Sequence, residues 1–431
     1  MRPRPRQKTD AANRLRRILL VDADAFFVAV ARLEDPEGAG KAELLIVGGA
    51  PGSRGVVCSA SYAARQFGVR SAMPISRALR LCPRAMCVPV PRGACSRKSR
   101  DIARVLGRYA PIVEAASIDE WYIDLTGTEA LYHNEPLAET ARRIRDAVRE
   151  ATGLSVSIGG GTNRLVAKLA VELAKPRPGN DATGVFVVAP GDEAGFMTRF
   201  HVADLPGVGA RARERLDRVG LRTIPDVLER SLDELVHRLG EREGRWLYER
   251  ARGIGSAEVT GRDIPRSISR EETFGADLAA DDALERELLR LVTRAAADLR
   301  SQALATRTVN VKLRDKDFRT RRASLTLDEP VVADRVIFAT ARALLRKLRR
   351  ARRVPARLLG VALTSLGSRG APRQMALFEA EAEGESRRDR ALADTIDALR
   401  ARFGRDAVVP ARLAAPRADA RHKGPTRGRR P

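Results

Sequence analysis

Carboxylates at the ends of apolar runs constrain this chain more than any other feature. Ile18-Leu19-Leu20-Val21 reads as a buried strand and runs straight into Asp22-Ala23-Asp24. Residues 113–125 (VEAASIDEWYIDL) read as two strands bending around Asp119-Glu120. A carboxylate at the end of a buried strand is costly unless its charge is compensated. Neighbouring strands of one sheet would bring Asp22, Asp119 and Glu120 together, and three mutually repelling carboxylates require a cation. Hard oxygen ligands suit Mg²⁺, which usually completes its shell with substrate phosphates. Two such ions about 3.5–4 Å apart can drive phosphoryl transfer. Acids that cap strands or open turns account for Asp-x-Asp alone. They do not account for its coexistence with a distant Ser-Ile-Asp-Glu hairpin.

The flanking pattern supplies the sheet. Residues 41–49 and 55–60 read as further strands, and Ile144, Ala147, Val148 and Ala151 repeat at helical spacing before Gly153. Leu154, Val156 and Ile158 alternate as a strand, followed by an expected Gly159-Gly160-Gly161 turn and a second helix reaching Lys175. The expectation is β-α-β-β-α-β, an antiparallel sheet covered by two helices. Residues 201–256 show no strand pattern and read as a small helical module opening on Leu205-Pro206-Gly207-Val208-Gly209. A second β-α-β-β-α-β unit spans residues 267–370. Its strands alternate Val309, Val311 and Leu313 with Asn310, Lys312 and Arg314, and Ala323, Leu325 and Leu327 with Arg322, Ser324 and Thr326. One face of that sheet is apolar and the other polar and basic, suited to a phosphate backbone. The fold class is multidomain α+β.

Charge sharpens the partner. Lys and Arg number 79 against 55 Asp and Glu, a formal net charge of +24. Residues 1–17 carry +6, residues 416–431 carry +5 and residues 266–370 carry +10, which leaves the remainder close to neutral. The two ends read as disordered basic arms, and a polyanion, nucleic acid above all, is the expected partner. No run is long enough for a membrane span, the N-terminus lacks a secretory pattern, and four cysteines do not form a disulfide framework. A cytoplasmic location follows as an expectation. Cys82, Cys87 and Cys95 lack zinc-ligand spacing, and the glycine triplet lacks the Walker ending.

The strings VDADAFF (21–27), SASYAARQFGVRSAMP (59–74), SIDEWYIDLTG (117–127) and NRLVAKLAVELAKP (163–176) resemble successive motifs of the Y-family DNA polymerases. Within that family the bacterial DNA polymerase IV (DinB) branch is the nearest match, over residues 17–378. The resemblance implies a right-hand polymerase. Its palm would be residues 18–25 and 92–185, the fingers 26–91, and the thumb 186–256 with a helix-hairpin-helix. A linker would occupy 257–266, the little finger 267–370, and a clamp-binding peptide with a C-terminal segment 371–415. It implies Asp22, Asp119 and Glu120 as metal-binding carboxylates for two Mg²⁺ ions, with the Ala23 carbonyl as an added ligand and Asp24 outside the shell. Phe27 would be the steric gate against a 2′-hydroxyl, with Phe26 in the core. Ser59, Tyr62, Arg65 and Lys168 would hold the incoming triphosphate, as a guanidinium fork and an ammonium suit polyphosphate. Cys58 would lie over the nascent pair or simply be a small buried side chain.

The same resemblance makes Gly207 and Gly209 a close approach to a DNA phosphate. Lys312, Arg314 and Arg322 would contact the duplex. Gln374-Met375-Ala376-Leu377-Phe378 resembles the Q-x-x-L-F peptide that docks into the bacterial sliding clamp, with Leu377 and Phe378 filling an apolar pocket and Gln374 adding a hydrogen bond. The implied activity is primer extension with dNTPs on primer-template DNA by a monomer without a proofreading exonuclease, in error-prone translesion synthesis. Two other readings compete: a catalytically inert Y-family paralogue acting as a clamp-binding scaffold in a mutagenesis complex, and a generic architectural nucleic-acid binder. The acidic cluster argues against both. Five positions depart from the family pattern. Ala31 replaces an acid, Cys95-Ser96 a Tyr-Lys pair, Trp121 a small residue and Ser61 a frequent Asn.

Overall fold

The structure, a computed structural model, describes residues 15–176, 181–261, 264–370 and 385–414. The chain divides into two compact units, Met1–Arg262 and Asp263–Pro431. The first unit begins with β1 (Ile18–Ala23), α1 (Phe26–Glu34), β2 (Leu45–Gly48), β3 (Val57–Ala60), α2 (Tyr62–Gln66), α3 (Ile75–Leu81), β4 (Met86–Pro89) and α4 (Arg92–Leu106). It continues with β5 (Ile112–Ala115), β6 (Glu120–Asp124), α5 (Leu137–Thr152), β7 (Val156–Gly161), α6 (Arg164–Ala174) and β8 (Val185–Val187). Short helices follow: α7 (Glu193–Met197), α8 (Ala210–Arg218), α9 (Ile224–Leu228), α10 (Leu232–Leu239) and α11 (Glu241–Ala251).

The central sheet has the order β5-β6-β1-β7-β8. Its pairs are antiparallel except β7-β8, where α6 forms the crossover that a parallel pair needs. Side chains of β1 alternate between two cores. Leu19, Val21 and Ala23 pack with Ile102 and Leu106 of α4 and with Ile144 and Val148 of α5. Ile18 and Leu20 pack with Ala167 and Val171 of α6. Helices α5 and α6 therefore lie on opposite faces of the sheet, with α4 beside α5.

Gly159-Gly160-Gly161 continue β7 and do not form the expected turn. A Cβ on Gly159 would stand 2.2 Å from the Val171 nitrogen and 2.3 Å from the Ala167 oxygen, and one on Gly161 2.5 Å from Val166 Cγ1. Glycine here permits the backbone of α6 to rest on the strand. A smaller sheet, β3-β2-β4, encloses Ile46, Val57, Ala64 and Ile75. Helices α7–α11 share a core of Phe196, Leu216, Leu235 and Leu247, and residues 201–256 hold no strand, as expected.

Residues 256–260, which include the first four residues of the expected linker, are fixed to the central sheet. Val259 is buried with Ile18, Leu20 and Tyr122. The Arg164 N–H donates to the Ser256 carbonyl, and the Thr260 N–H donates to Glu114 Oε2 at 2.9 Å. Glu114 is only 2% exposed, and Arg164 clasps both its oxygens at 2.7 and 2.8 Å while its guanidinium lies 4.2 Å from the Tyr122 ring centroid.

The second unit contains β9 (Ser267–Leu278), α12 (Asp281–Ser301), β10 (Leu304–Asp315), β11 (Thr320–Val331), α13 (Asp334–Ala351), β12 (Ala356–Ser368) and α14 (Arg387–Phe403). Its antiparallel sheet runs β11-β10-β12-β9. Val309, Val311, Leu313, Leu359 and Leu363 pack against Leu284, Leu288 and Leu299 of α12 and Ile337 and Leu344 of α13. Within the expected C-terminal segment 371–415, residues 387–403 form a capped helix held by charge. Buried Arg300 binds Asp397 and Asp334, Arg335 binds Asp389, and Arg369 binds Asp394. Ala393 is the one buried side chain of α14.

Candidate active site

The ends of β1 and β6 build the site. Asp22 faces Glu120 directly across the strand pair, and the Ala23 N–H donates to the Asp119 carbonyl at 2.9 Å. Asp22, Ala23, Asp119 and Glu120 thus share one end of the sheet. Asp22 lies in alternation with Ile18 and Leu20, so its carboxylate faces α6 and not the α4–α5 core. It is 7% exposed, and burial pushes its carboxyl up to about 7 against the opposing pull of Lys175. Lys175 Nζ donates to Asp22 Oδ2 at 2.9 Å and to Glu172 at 2.8 Å. Burial opposes the Lys175 charge, but Asp22 and Glu172 outweigh it and hold the ammonium above its ordinary range. Lys168 Nζ donates to Glu120 Oε1 at 2.5 Å and stands 4.0 Å from Asp22 Oδ2.

Lys168 is thus seated on the carboxylates, and Lys175, two turns further along α6, joins it. Sequence reasoning missed Lys175, although it lies in the NRLVAKLAVELAKP string. Asp24 accepts from Ser157 Oγ at 2.7 Å, and burial raises its carboxyl in spite of that bond. Ser117 Oγ donates to Asp119. Among the described residues no three His, Cys, Asp or Glu side chains already converge as a metal shell. The donor chemistry nevertheless fits a divalent cation. A nearly buried carboxylate and a second directly across the strand hold the ammonium groups of two lysines at one place, with the Asp119 carboxylate at the adjoining bend.

Ala25 turns the chain from β1 into α1 at a left-handed φ of 44°. Phe26 beyond it is 2% exposed in the core; Phe27 is half-buried, its ring centroid 5.5 Å from that of Phe26. In the small sheet Ser59 is 5% exposed, while half-buried Tyr62 and Arg65 lie together with the guanidinium 5.0 Å from the ring centroid. Arg65 Nε donates to the Ala60 carbonyl, and Cys58 is exposed. Gly207 adopts a φ of +106° ahead of α8, and a Cβ on Gly209 would meet nothing within 4 Å. On the open face of the second sheet, Lys312 is paired with Glu271 at 2.7 Å and Arg314 bonds Thr320, with Arg322 across the strand from Lys312. Gln374, Leu377 and Phe378 lie outside the described residues.

Four of the five departing positions have structural roles. Ala31 packs beneath β2, and Ser61 caps α2 by accepting from Ala64 while donating to the Glu43 carbonyl. Cys95 and Trp121 are 0% and 1% exposed in the same core.

Residues 21–172 match the impB/mucB/samB family and residues 265–377 its C-terminal domain, while residues 203–255 match a thumb-domain family described for DNA polymerase iota. DNA polymerase IV of Desulfatibacillum aliphaticivorans is 37% identical over 92% of this chain and 96% of its own length. DNA polymerase IV of Methanoculleus marisnigri is 38% identical over 84% and 97%. A solved Y-family DNA polymerase chimera shares the fold with a TM-score of 0.72 at 24% identity, over 82% of this chain and 99% of that one. The chain belongs to the Y-family DNA polymerases, in the DNA polymerase IV branch, and is a DNA-directed DNA polymerase. Divalent metal use is general to such enzymes. No helix among the described residues is long and apolar enough to cross a membrane.

Proposed function

We propose that this polymerase extends a primer on damaged as well as intact templates, error-prone and without proofreading, in translesion synthesis. Asp22, Asp119, Glu120 and the Ala23 carbonyl would hold two Mg²⁺ ions. When bound, the metal supplies charge neutralisation for the attacking 3′-oxygen and the departing pyrophosphate. The observation that carries this reading is Asp22. A buried carboxylate beside Glu120 and the Asp119 bend is expensive for a fold that gains nothing from it. A clamp-binding scaffold would have no use for that expense.

The remaining roles follow from position. Lys168 and Lys175 offset the carboxylates and are near enough to meet triphosphate oxygens at the same place. Tyr62 and Arg65 offer a stacked ring and guanidinium for phosphate and sugar, with Ser59 beneath them. Phe27 packs against the sugar and excludes a 2′-hydroxyl. Gly207 and Gly209 give a backbone approach to a DNA phosphate. Arg322, together with Arg314 and Lys312, lines the open sheet face for the duplex. Gln374, Leu377 and Phe378 dock into the bacterial sliding clamp. The palm, fingers, thumb and little finger correspond to residues 18–25 with 92–185, 26–91, 186–256 and 267–370. The chain works as a cytoplasmic monomer. The test is primer extension by Asp119→Ala and Glu120→Ala, with primer-template affinity measured alongside. Extension should vanish while affinity stays within a few-fold. Extension at the wild-type rate by either variant would remove the reading.

A further inference from the structure

The β10–β11 hairpin carries a feature that its fold does not need. Its tip runs Asp315-Lys316-Asp317-Phe318-Arg319, with the Phe318 N–H donating to the Asp315 carbonyl and the Asp315 N–H to the Arg319 carbonyl, both at 2.9 Å. Phe318 closes this turn at a left-handed φ of 66°. That position normally belongs to Gly, Asn or Asp, because a Cβ crowds the backbone there. The ring is also 62% exposed. An aromatic held in a disfavoured conformation and left largely in water is doubly unfavourable, and such strain concentrates at functional positions.

The surroundings hold the tip in place. Asp315 is fully buried and accepts from Arg321 at 3.0 Å and from Arg352. Asp317 is paired to Arg352 at 2.8 Å, and the Lys316 N–H donates to the Pro355 carbonyl at 3.0 Å. Both tip carboxylates are thus committed. The cations Lys316 and Arg319 are exposed beside the ring in sequence, and the Arg357 guanidinium lies 4.6 Å from its centroid. A flat apolar face rimmed by positive charge matches one ligand chemistry, a nucleobase with its own phosphates.

We propose that Phe318 is a stacking platform for an unpaired nucleobase of single-stranded DNA. Interior bases of a duplex are already stacked on both faces, so the platform selects single-stranded DNA or a flipped base. The inference rests on the reading that the chain works on DNA and adds a contact with the base itself to the backbone contacts of Lys312, Arg314 and Arg322.

The test is fluorescence anisotropy of the full chain with two labelled oligonucleotides of equal length, one with bases and one with abasic sugars throughout its centre. Phe318→Ala should weaken binding of the base-bearing strand about fivefold or more, the low end for loss of one stacked base. Binding of the abasic strand should be unchanged. Phe318→Trp should restore base-dependent affinity and show indole quenching on binding. Phe318→Gly separates turn from platform: it should raise the Tm by relieving the left-handed strain and still lose the base-dependent affinity. Equal loss on both strands, or no loss on either, would overturn the proposal while leaving primer extension as evidence for the polymerase reading. A wild-type chain that binds neither strand and extends no primer would overturn both.

Discussion

Replacing Arg164 with Met would take from buried Glu114 the guanidinium that clasps both its oxygens at 2.7 and 2.8 Å. The side chain of Glu114 is 3% exposed and that of Arg164 27%, so the pair sits in low dielectric and water cannot replace the lost guanidinium. Two routes give the cost. Breaking a buried pair by removing one partner costs about 3–5 kcal/mol. Alternatively the carboxyl deprived of its guanidinium stays protonated, and holding a glutamate with an ordinary pKa of about 4.3 neutral at pH 7 costs about 4 kcal/mol. The cheaper route sets the value, so about 4 kcal/mol is expected at pH 7. Loss of the Tyr122 stacking and of the bond from Arg164 to the Glu258 carbonyl adds about 1 kcal/mol independent of pH.

In the variant, the folded-state pKa of Glu114 lies above its unfolded value. The folded state therefore binds the extra proton, and stability is lost as pH rises through about 4 to 7. At pH 5 the protonation cost shrinks to about 1 kcal/mol, so the total loss falls from about 5 to about 2. Urea unfolding followed by tryptophan emission measures it, since Trp121 is 1% exposed in the core behind β6. The double variant Arg164→Met, Glu114→Gln removes the buried charge and should recover at least half of the loss at pH 7. An equal loss at pH 5 and 7, or a double variant no better than the single one, would refute the argument.

Gly159→Ala should destabilise by about 3 kcal/mol, at the upper end for overpacking, because the new Cβ meets the backbone of α6 and not a movable side chain. Thermal unfolding would measure the loss, and primer extension should fall with it, since α6 carries Lys168 and Lys175. Lys175→Met tests the electrostatics of Asp22. In the wild type the raised carboxyl, at about 7, makes stability fall between about pH 4 and 7 and then level off once the Asp22–Lys175 pair is ionised. Without the ammonium Asp22 stays protonated to higher pH. The variant should then diverge from wild type above pH 7 by about 1.4 kcal/mol per pH unit, and added Mg²⁺ should narrow the gap. A gap that is constant from pH 6 to 9 in chelator would contradict this.

What the sequence makes legible divides along the physics of each element. β1 and β6 are readable because buried strands are continuous apolar runs, and the acids that end them are conspicuous against that background. β9 is an edge strand that sends Ile268 and Phe274 inward among charged neighbours, so its alternation is too sparse to read. Helix α14 escapes for the opposite reason. It docks through Asp389, Asp394 and Asp397 onto arginines scattered over sequence, leaving no apolar stripe, although Ser386 and Asp389 spell its capping box.

The glycine triplet shows the deeper limit. Three glycines in a row read as a turn by propensity, but propensity describes a residue and not what lies over it. In the structure their missing Cβ atoms let α6 sit directly on β7, and that approach brings Lys175 as well as Lys168 within reach of the carboxylates on the neighbouring strands. The reading that misassigned Gly159-Gly160-Gly161 therefore also missed Lys175, since the second lysine enters the site only when the helix lies that close. Cys95 and Trp121 are the converse. Each alone is a departure that casts doubt on the site. Both are buried in the one core behind β6, and the strand that carries Glu120 holds it opposite Asp22.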